Sequence, residues 1–403
     1  MPSDLAHHWD LDPTVTQLNH GSFGASPRVV LEAQSRWRAR MERSLTEFHA
    51  RDLAGLLNEA RAELAAFVGA QAEDLVFVTN ATQGVNAVLR SMDLRPGDEL
   101  LTTDHEYNAC ANALRYVCER AGATLVVATI PLPIADPEEV VEALMAKVTN
   151  RTRLALVDHV TSQTGLVFPI ERIVEALQGR GVDVFVDGAH APGMLELDLD
   201  RLGAAFYTGN CHKWICSPKG SALLHVRRDR QAGVRPTSIS HGANAPPSDK
   251  SRFQIEFGWT GTCDPTAWLS VPDAIRAIDS IIPGGWPAYR AHNRDLAIAA
   301  RRMLNDALGS EPIAPESMLG SMAAVRIPDG DPDRAHDPFE PDPVQRALWE
   351  RWRIEALVIV WPGPPERLLR ISAAPYNEIG EYERLAAALP EALKNVGTPA
   401  QRA

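Results

Sequence analysis

Short apolar runs alternate with amphipathic stretches through the first two thirds of the chain. Seven runs of five or six residues are rich in aliphatic and β-branched side chains, as buried strands are. Segments 52–68 and 82–92 instead place apolar residues at intervals of three and four, which predicts helices. This alternation predicts an α/β fold with a mostly parallel, seven-stranded sheet covered by helices on both faces. The predicted strands are 75–79, 99–103, 124–129, 153–158, 183–187, 204–208 and 221–226.

The pattern changes after about residue 275, where longer helical segments separate fewer strands. Helices are predicted at 289–308, 343–353 and 378–394, and strands at 322–327, 356–361 and 368–372. We therefore expect an N-terminal arm at 1–30, a large domain at 31–275 and a smaller C-terminal α/β domain at 276–403. Acidic residues and prolines in 328–343 disfavour regular structure, so we expect a solvated loop there, with an active-site lid as the alternative.

Length and composition agree with an ordinary two-domain enzyme, because 403 residues exceed what one core usually covers. The net charge of −12 and pI of 5.5 argue against a nucleic-acid partner. No secretory signal and no apolar run of bilayer length are visible, so we expect a cytoplasmic protein without a membrane partner. The five cysteines lack metal-binding spacing, which predicts reduced thiols and no metal site.

One lysine stands out because lysine is rare in this chain. Of 40 lysines and arginines only five are lysines. A chain that uses arginine for most cations tends to keep lysine where arginine cannot replace it, and one such task is to form an imine with an aldehyde. Lys213, in the segment FYTGNCHKW (206–214), is therefore a candidate covalent anchor.

An aspartate upstream completes the chemical pattern. Asp187 ends the predicted strand 183–187, and open α/β sheets bind their ligands at this edge. A carboxylate there, followed by Lys213 after another apolar strand, suits pyridoxal 5'-phosphate: lysine holds the aldehyde carbon and the acid pairs with the ring nitrogen. Taken singly, Asp187 could be a helix cap and Lys213 a surface residue. Their order and strand context favour the cofactor interpretation.

Ordered motifs along nearly the whole chain extend this interpretation. They are LNHGSFG (18–24), NATQGVN (80–86), DHVTS (158–162), CHKW (211–214), GT (261–262) and RIS (370–372). In this order they resemble the class V aminotransferase superfamily, within fold type I of the pyridoxal phosphate enzymes. The resemblance is strongest to the isopenicillin N epimerase-like branch, which is related to the cysteine desulfurases.

The phosphate of the cofactor needs donors and a positive local field. Segment 79–84 follows a strand and opens a helix, where backbone N–H groups and the helix dipole favour an anion, although Thr82 could also be a simple helix cap. No nucleotide-binding glycine fingerprint occurs there. The resemblance implies that Ala81, Thr82, Asn210 and His212 bind the phosphate. It also implies that Thr262 reaches this site across the interface of a homodimer.

The remaining site residues come from the resemblance. Tyr107 occupies the position that stacks on the cofactor ring, where cysteine desulfurases carry histidine, and we count it with Lys213 and Asp187 among the catalytic candidates. Ser162 and His190 match positions that contact the ring hydroxyl. Arg370 matches the arginine that clamps the substrate carboxylate. Four further residues are expected to line the substrate pocket: Asn19, His20, Ser22 and His241. For His105 and His159 we favour structural roles.

The expected reaction begins with removal of a proton from the α-carbon of an amino acid or small peptide-like amino acid, with Lys213 as general base. Three outcomes stay open: epimerisation, transamination and β-elimination by a carbon–sulfur lyase. Persulfide transfer is disfavoured because the related cysteine desulfurases use a nucleophilic cysteine on a loop of the small domain, and no cysteine follows Cys263 in this chain. Cys211 and Cys216, which flank the lysine, are interpreted as packing residues. A ligand sensor without catalysis is a further alternative, although the chain has no basic segment for a DNA-binding domain.

Overall fold

A seven-stranded sheet forms the centre of the computed structural model, which describes residues 3–246, 248–333, 337 and 340–394. The strand order is β2-β8-β7-β6-β5-β3-β4, and β8 alone runs against its neighbours. The seven predicted strands and the α/β fold class are confirmed, with boundary shifts of a few residues. These strands are β2 (Leu75–Val78), β3 (Glu99–Thr103), β4 (Thr124–Ala128), β5 (Thr152–Asp158), β6 (Asp183–Asp187), β7 (Phe206–Asn210) and β8 (Ala222–Val226).

Helices cover both faces of this sheet. Alternate strand residues belong to different cores: Val184 and Val186 pack in one cluster, and Phe185 between them packs in the other. This follows from the two-residue period of a strand, and it explains the nearly continuous apolar runs in the sequence. The helices up to the end of the large sheet are α1 (His20–Phe23), α2 (Arg28–Arg43), α3 (Leu45–Glu47), α4 (Leu53–Val68), α5 (Ala81–Ser91), α6 (Asn108–Ala121), α7 (Glu138–Met145), α8 (Ile170–Gln178) and α9 (Leu199–Leu202).

A second, antiparallel sheet lies in the C-terminal part, with the order β11-β12-β9. Its strands are β9 (Met322–Ile327), β11 (Leu357–Val360) and β12 (Arg367–Ser372), close to the predicted ranges. A two-residue parallel pair, β1 (Thr16–Gln17) with β10 (Ile354–Glu355), ties the N-terminal arm to this part. The helices of this half are α10 (Arg252–Gly258), α11 (Thr266–Leu269), α12 (Val271–Ile281), α13 (Gly285–Leu308), α14 (Pro343–Trp352) and α15 (Ile379–Lys394).

The acidic, proline-rich segment is described only in part. Residues 328–333 form no helix or strand and are mostly exposed, whereas 334–336, 338 and 339 lie outside the described residues. The choice between a solvated loop and a lid therefore stays a prediction, as does the division into three domains. Among the described helices, none combines the length and apolar character needed to cross a membrane.

Candidate active site

Lys213 lies in a tight turn just after β7, at the edge where the parallel strands end. Its Nζ is 3.1 Å from Nε2 of His190, and the side chain is partly buried. Burial and the positive charge of Arg370 lower the pKa of Lys213 to about 7. A large fraction of this amine is therefore neutral and nucleophilic near pH 7, as an imine-forming lysine requires.

The N-terminal arm is packed against this turn. Gly24 has a φ of 70°, and a Cβ there would lie 2.0 Å from the carbonyl oxygen of His212. His20 donates from Nε2 to the carbonyl oxygen of Lys213 (3.1 Å), and its Nδ1 accepts from the Tyr376 hydroxyl (2.9 Å). Burial lowers the pKa of His20 to about 4, which keeps the ring neutral. Because both ring nitrogens are used within the protein, His20 holds the lysine turn in place.

Asp187 ends β6, with only 1% of its surface exposed. Its Oδ1 accepts from the backbone N–H of Ala189 (2.9 Å) and its Oδ2 from the thiol of Cys110 (3.2 Å). Burial raises the pKa of Asp187, while these two hydrogen bonds and the charge of Lys213 act in the opposite direction. The carboxylate is thus oriented at the strand end, as pairing with a cationic ring nitrogen requires.

The predicted phosphate ligands meet at the start of α5. The backbone N–H of Ala81 donates to Oδ1 of Asn210 (2.9 Å), which leaves the amide N–H donors of Asn210 for another acceptor. Thr82 lies in the first turn of α5, partly buried. Gly84 allows this helix to approach β7, since a Cβ there would lie 2.4 Å from Oγ1 of Thr208. The helix N-terminus and β7 therefore form one polar recess beside the lysine turn.

His212 adds a constraint to this recess. Its Nδ1 donates to the carbonyl oxygen of Ser221 (2.9 Å), so in the neutral ring Nε2 is an acceptor only. Burial lowers the pKa of His212 to about 4. As a phosphate ligand His212 needs a second proton, which a neighbouring dianion favours.

Arg370 lies on β12 and is almost fully buried. It donates to the carbonyl oxygen of Ser162, to Oδ1 of Asn19 (3.1 Å) and to Oγ of Ser22 (2.9 Å). Within the described residues no acidic side chain pairs with this guanidinium, and its Nε has no partner. Burial lowers the pKa of Arg370 to about 10, so it remains a cation at neutral pH. A buried, unpaired cation of this kind suits an anionic ligand.

Tyr107 immediately precedes α6, and 44% of its surface is exposed. Its pKa is raised by partial burial and by the charges of Cys110 and Asp187, against the opposing charge of Arg370. The phenol is therefore protonated at neutral pH and lies within electrostatic reach of both the aspartate and the arginine. This placement suits a ring that covers the cofactor.

His190 is fully enclosed by the site. Its Nε2 contacts Lys213, and its buried Nδ1 has no partner within the described residues. Burial and the charges of Lys213 and Arg370 hold its pKa well below the ordinary value. The site thus offers a ring nitrogen of His190 without a partner, the amine of Lys213, the acid of Asp187 and the unpaired cation of Arg370. These groups fit a polar ring with an oxygen substituent, as pyridoxal phosphate has.

Two predicted site residues are exposed in this chain. Thr262 is exposed in the segment after α10, and His241 is exposed in a 3₁₀ helix, His241–Asn244. Neither has a described hydrogen bond to Lys213, Asp187 or Arg370. The two histidines to which we assigned structural roles pack elsewhere: Nδ1 of His105 bonds Asp104 (3.1 Å), and Nδ1 of His159 bonds the Tyr207 hydroxyl (3.0 Å).

Three residues near Asp187 were missed by the sequence analysis: Glu106, Cys110 and Asp158. Glu106 immediately precedes Tyr107, Cys110 follows in the first turn of α6, and Asp158 is the register partner of Asp187 on β5. Their position along the chain could have identified them, because each lies at or just after the carboxyl end of a predicted parallel strand.

Known proteins resemble this chain in sequence and in fold. The family described as aminotransferase class-V matches residues 25–335. An isopenicillin N epimerase from Amycolatopsis lactamdurans is 40% identical over 400 residues, covering 95% of this chain and 96% of the relative. A putative L-cysteine desulfhydrase 2 from Oryza sativa subsp. japonica is 32% identical over 345 residues, covering 81% and 70%. The solved structure of the cystine C–S lyase C-DES with cysteine persulfide, 22% identical, matches with a TM-score of 0.79 over 94% and 97% of the two chains.

Proposed function

This chain belongs to the aminotransferase class-V family and is a pyridoxal phosphate-dependent enzyme, and we propose that it changes bonds at the α-carbon of an amino acid, as an epimerase of the isopenicillin N epimerase type. The observation that carries the proposal is the meeting of Lys213, Asp187 and Arg370 in one buried space. Lys213 supplies an amine with a lowered pKa, Asp187 an oriented acid and Arg370 a cation without an acidic partner among the described residues.

Different residues of this chain bind different parts of the cofactor. Lys213 holds the cofactor aldehyde, Asp187 the ring nitrogen, Ser162 and His190 the ring hydroxyl, and Tyr107 covers the ring. The phosphate is held by Ala81, Thr82, Asn210 and His212. When bound, pyridoxal phosphate supplies a protonated pyridine ring that withdraws electrons and acidifies the α-carbon of the substrate.

Arg370 positions the substrate by its carboxylate. The guanidinium is oriented by Ser162, Asn19 and Ser22 before any substrate arrives, so little conformational entropy is lost on binding. Asn19 and Ser22 belong to the N-terminal arm, which His20 and Gly24 fasten to the lysine turn. The arm thereby joins the substrate carboxylate site to the catalytic amine.

Lys213 moves the proton. With cofactor and substrate bound, the Lys213 amine would lie next to His190, with a pKa low enough to accept the α-proton near neutral pH. Return of a proton on the opposite face inverts the α-carbon, which is the outcome that the 40% identity to an epimerase supports.

A carbon–sulfur lyase is the second candidate, supported by the 32% identity to a putative cysteine desulfhydrase. Aminotransferase activity requires the same residues. One panel of amino acids distinguishes the three outcomes: α-proton exchange in deuterated water with inversion for an epimerase, keto acid with amino-cofactor for transamination, and sulfide release for a lyase. A panel that gives no exchange and no product, with the cofactor bound, would contradict the proposed function.

We also propose a cytoplasmic homodimer, with the three domains expected from the sequence. All five cysteines are free, which agrees with a reducing compartment. Thr262 is exposed and has no described hydrogen bond to Lys213, Asp187 or Arg370, as expected of a residue that serves a partner subunit. Exposed apolar side chains near the arm, including Phe23 at 73%, suit a subunit interface. Sedimentation analysis, together with the cofactor affinity of Thr262→Ala, tests this assembly.

A further inference from the structure

Three carboxyl groups meet in the buried space behind the candidate ring-nitrogen site. Asp187 and Asp158 end the neighbouring strands β6 and β5 in register. Glu106 lies between β3 and α6, and one atom each of Glu106, Cys110 and Asp187 lies within 4.8 Å of the other two. The three acids are 5% exposed or less. Three negative charges so close together in a dry pocket would repel one another strongly.

We propose that Glu106 and Asp158 hold their protons and flank Asp187, so that Asp187 is the single anion of this pocket and Glu106 is a positioning residue for the cofactor ring. The proposal rests on the proposed function only in placing the ring nitrogen at Asp187. Neither Glu106 nor Asp158 needs to touch the cofactor, because each acts through its effect on the charge of Asp187.

Hydrogen bonding favours Asp187 as the anion. It receives donors on both oxygens, from Ala189 and Cys110, and the positive charge of Lys213 acts on it. Asp158 has an Oδ2 atom without any partner in the described part of the chain. A buried ionised oxygen without a donor is more costly than a buried neutral acid, so Asp158 is the better place for a proton.

No cation among the described residues acts on Glu106. Its Oε1 accepts from the backbone N–H of Tyr107 (3.1 Å), and its Oε2 lies 3.1 Å from the hydroxyl of Thr102, which can accept a hydrogen bond as well as donate one. The charge that acts on Glu106 is that of Asp187, which is repulsive. Burial and this repulsion raise the pKa of Glu106 well above its usual range, and the same causes act on Asp158.

Neighbouring elements contribute further titratable side chains that interact with Asp187. Lys213 and Arg370 supply the two cations of the site, and the phenols of Tyr107 and Tyr207 have pKa values raised in part by Asp187. With the flanking acids neutral, Asp187 stays ionised for the ring nitrogen. With Glu106 and Asp158 also ionised, their repulsion would oppose the negative charge on Asp187, because the three acids titrate as one coupled cluster.

Infrared difference spectroscopy of the holoenzyme at pH 7 reads the protons directly, since carboxylic acids and carboxylates absorb in separate regions. We expect Glu106→Gln and Asp158→Asn each to remove one carboxylic-acid band, and Asp187→Asn to remove none. Glu99→Gln is the matched control: Glu99 is equally buried but is bonded to Thr149 and Arg151 at the other end of β3, so only a carboxylate band should disappear. Absence of any carboxylic-acid band that Glu106→Gln removes would overturn the proposal.

The ¹⁵N chemical shift of labelled pyridoxal phosphate tests whether Glu106 acts on the ring nitrogen as a neutral acid or as an anion. We expect the ring nitrogen to stay protonated in Glu106→Gln, a neutral replacement of similar shape, and to lose its proton in Asp187→Asn. A shift in Glu106→Gln that matches Asp187→Asn would show that Glu106 is a needed anion and would overturn the proposal. Failure of the proposed function would look different: the wild-type enzyme would give no α-proton exchange even with the infrared bands as expected.

Discussion

The two ends of the central sheet differ in whether their charged side chains are paired with groups of opposite charge. At the amino ends of the strands, acidic side chains are paired: Glu99 with Arg151 (2.5 Å), Asp98 with Arg153 (2.7 Å), and Asp183 with Arg230 (2.8 Å). Hydrogen bonds from these and neighbouring partners lower the pKa of Asp98 and of Glu99.

At the carboxyl ends the described residues leave charge unpaired. Arg370 has no acidic partner, His190 and Asp158 each have an orphaned buried atom, and burial shifts the pKa of Lys213 down and that of Glu106 up. Stability alone favours the first arrangement, because unpaired buried charge is costly. The difference indicates that the carboxyl edge is organised around ligands that supply the missing partners.

Replacing the lysine should cause the largest effect. We expect Lys213→Ala to abolish the visible absorbance of the lysine-bound cofactor and to lower activity by at least roughly 10⁴-fold, since loss of a general base alone costs roughly 10²–10⁴-fold. Absorption spectra and α-proton exchange measure this. Lys219→Ala, six positions later, is the control and should keep both properties. Equal activity in the two variants would remove Lys213 from the mechanism.

The two ends of strand β6 offer a direct comparison. We expect Asp187→Asn to lower activity by roughly 100- to 5,000-fold, because removing one partner of a buried ion pair costs about 3–5 kcal/mol. Asp183→Asn, at the amino end, breaks a surface pair with Arg230 and should change the free energy of unfolding by about 0–1 kcal/mol with activity retained. Steady-state kinetics and urea unfolding check both. Similar activity losses in both variants would refute the contrast between the edges.

The unpaired arginine should matter for substrate and not for cofactor. We expect Arg370→Ala to raise KM for the amino acid by on the order of 100-fold, because charge-assisted hydrogen bonds contribute roughly 1.5–3 kcal/mol each. Affinity for the cofactor, measured by fluorescence titration at a pH where Lys213 is neutral in both proteins, should stay the same. Arg326→Ala, on the neighbouring strand and paired with Glu366, serves as the control. An unchanged KM in Arg370→Ala would assign the carboxylate to another residue.

The smallest expected effect is a displaced pH profile. Only neutral Lys213 attacks the cofactor aldehyde, so capture by the apoenzyme should accelerate as pH rises through about 7 and then level off. In Arg370→Ala the profile should move to higher pH, because the positive charge of Arg370 contributes to lowering the pKa of Lys213. Stopped-flow absorbance measures the rate. A wild-type rate that still climbs near about pH 10, the range of an ordinary lysine, would contradict the lowered pKa.

Most of the large sheet and the chemistry at its strand ends could be predicted from the sequence. Lys213 and Asp187 could be singled out because residue type, order and strand context coincide. The β1–β10 pair could not, because two residues make no periodic pattern. Strand order could not be predicted either. Asp158 is recognised as a neighbour of Asp187 only because β5 lies beside β6 in register. The contacts of His20 with Lys213 and Tyr376 join segments far apart in the chain, and no local pattern reports them.

The central claim is that the ε-amine of Lys213 binds the cofactor aldehyde covalently. Borohydride reduction of the wild-type enzyme with pyridoxal phosphate, followed by peptide mass spectrometry, tests it most directly. We expect a stable pyridoxyl adduct on Lys213 within residues 210–214. An adduct confined to another lysine, or none on a protein that retains activity, would contradict it.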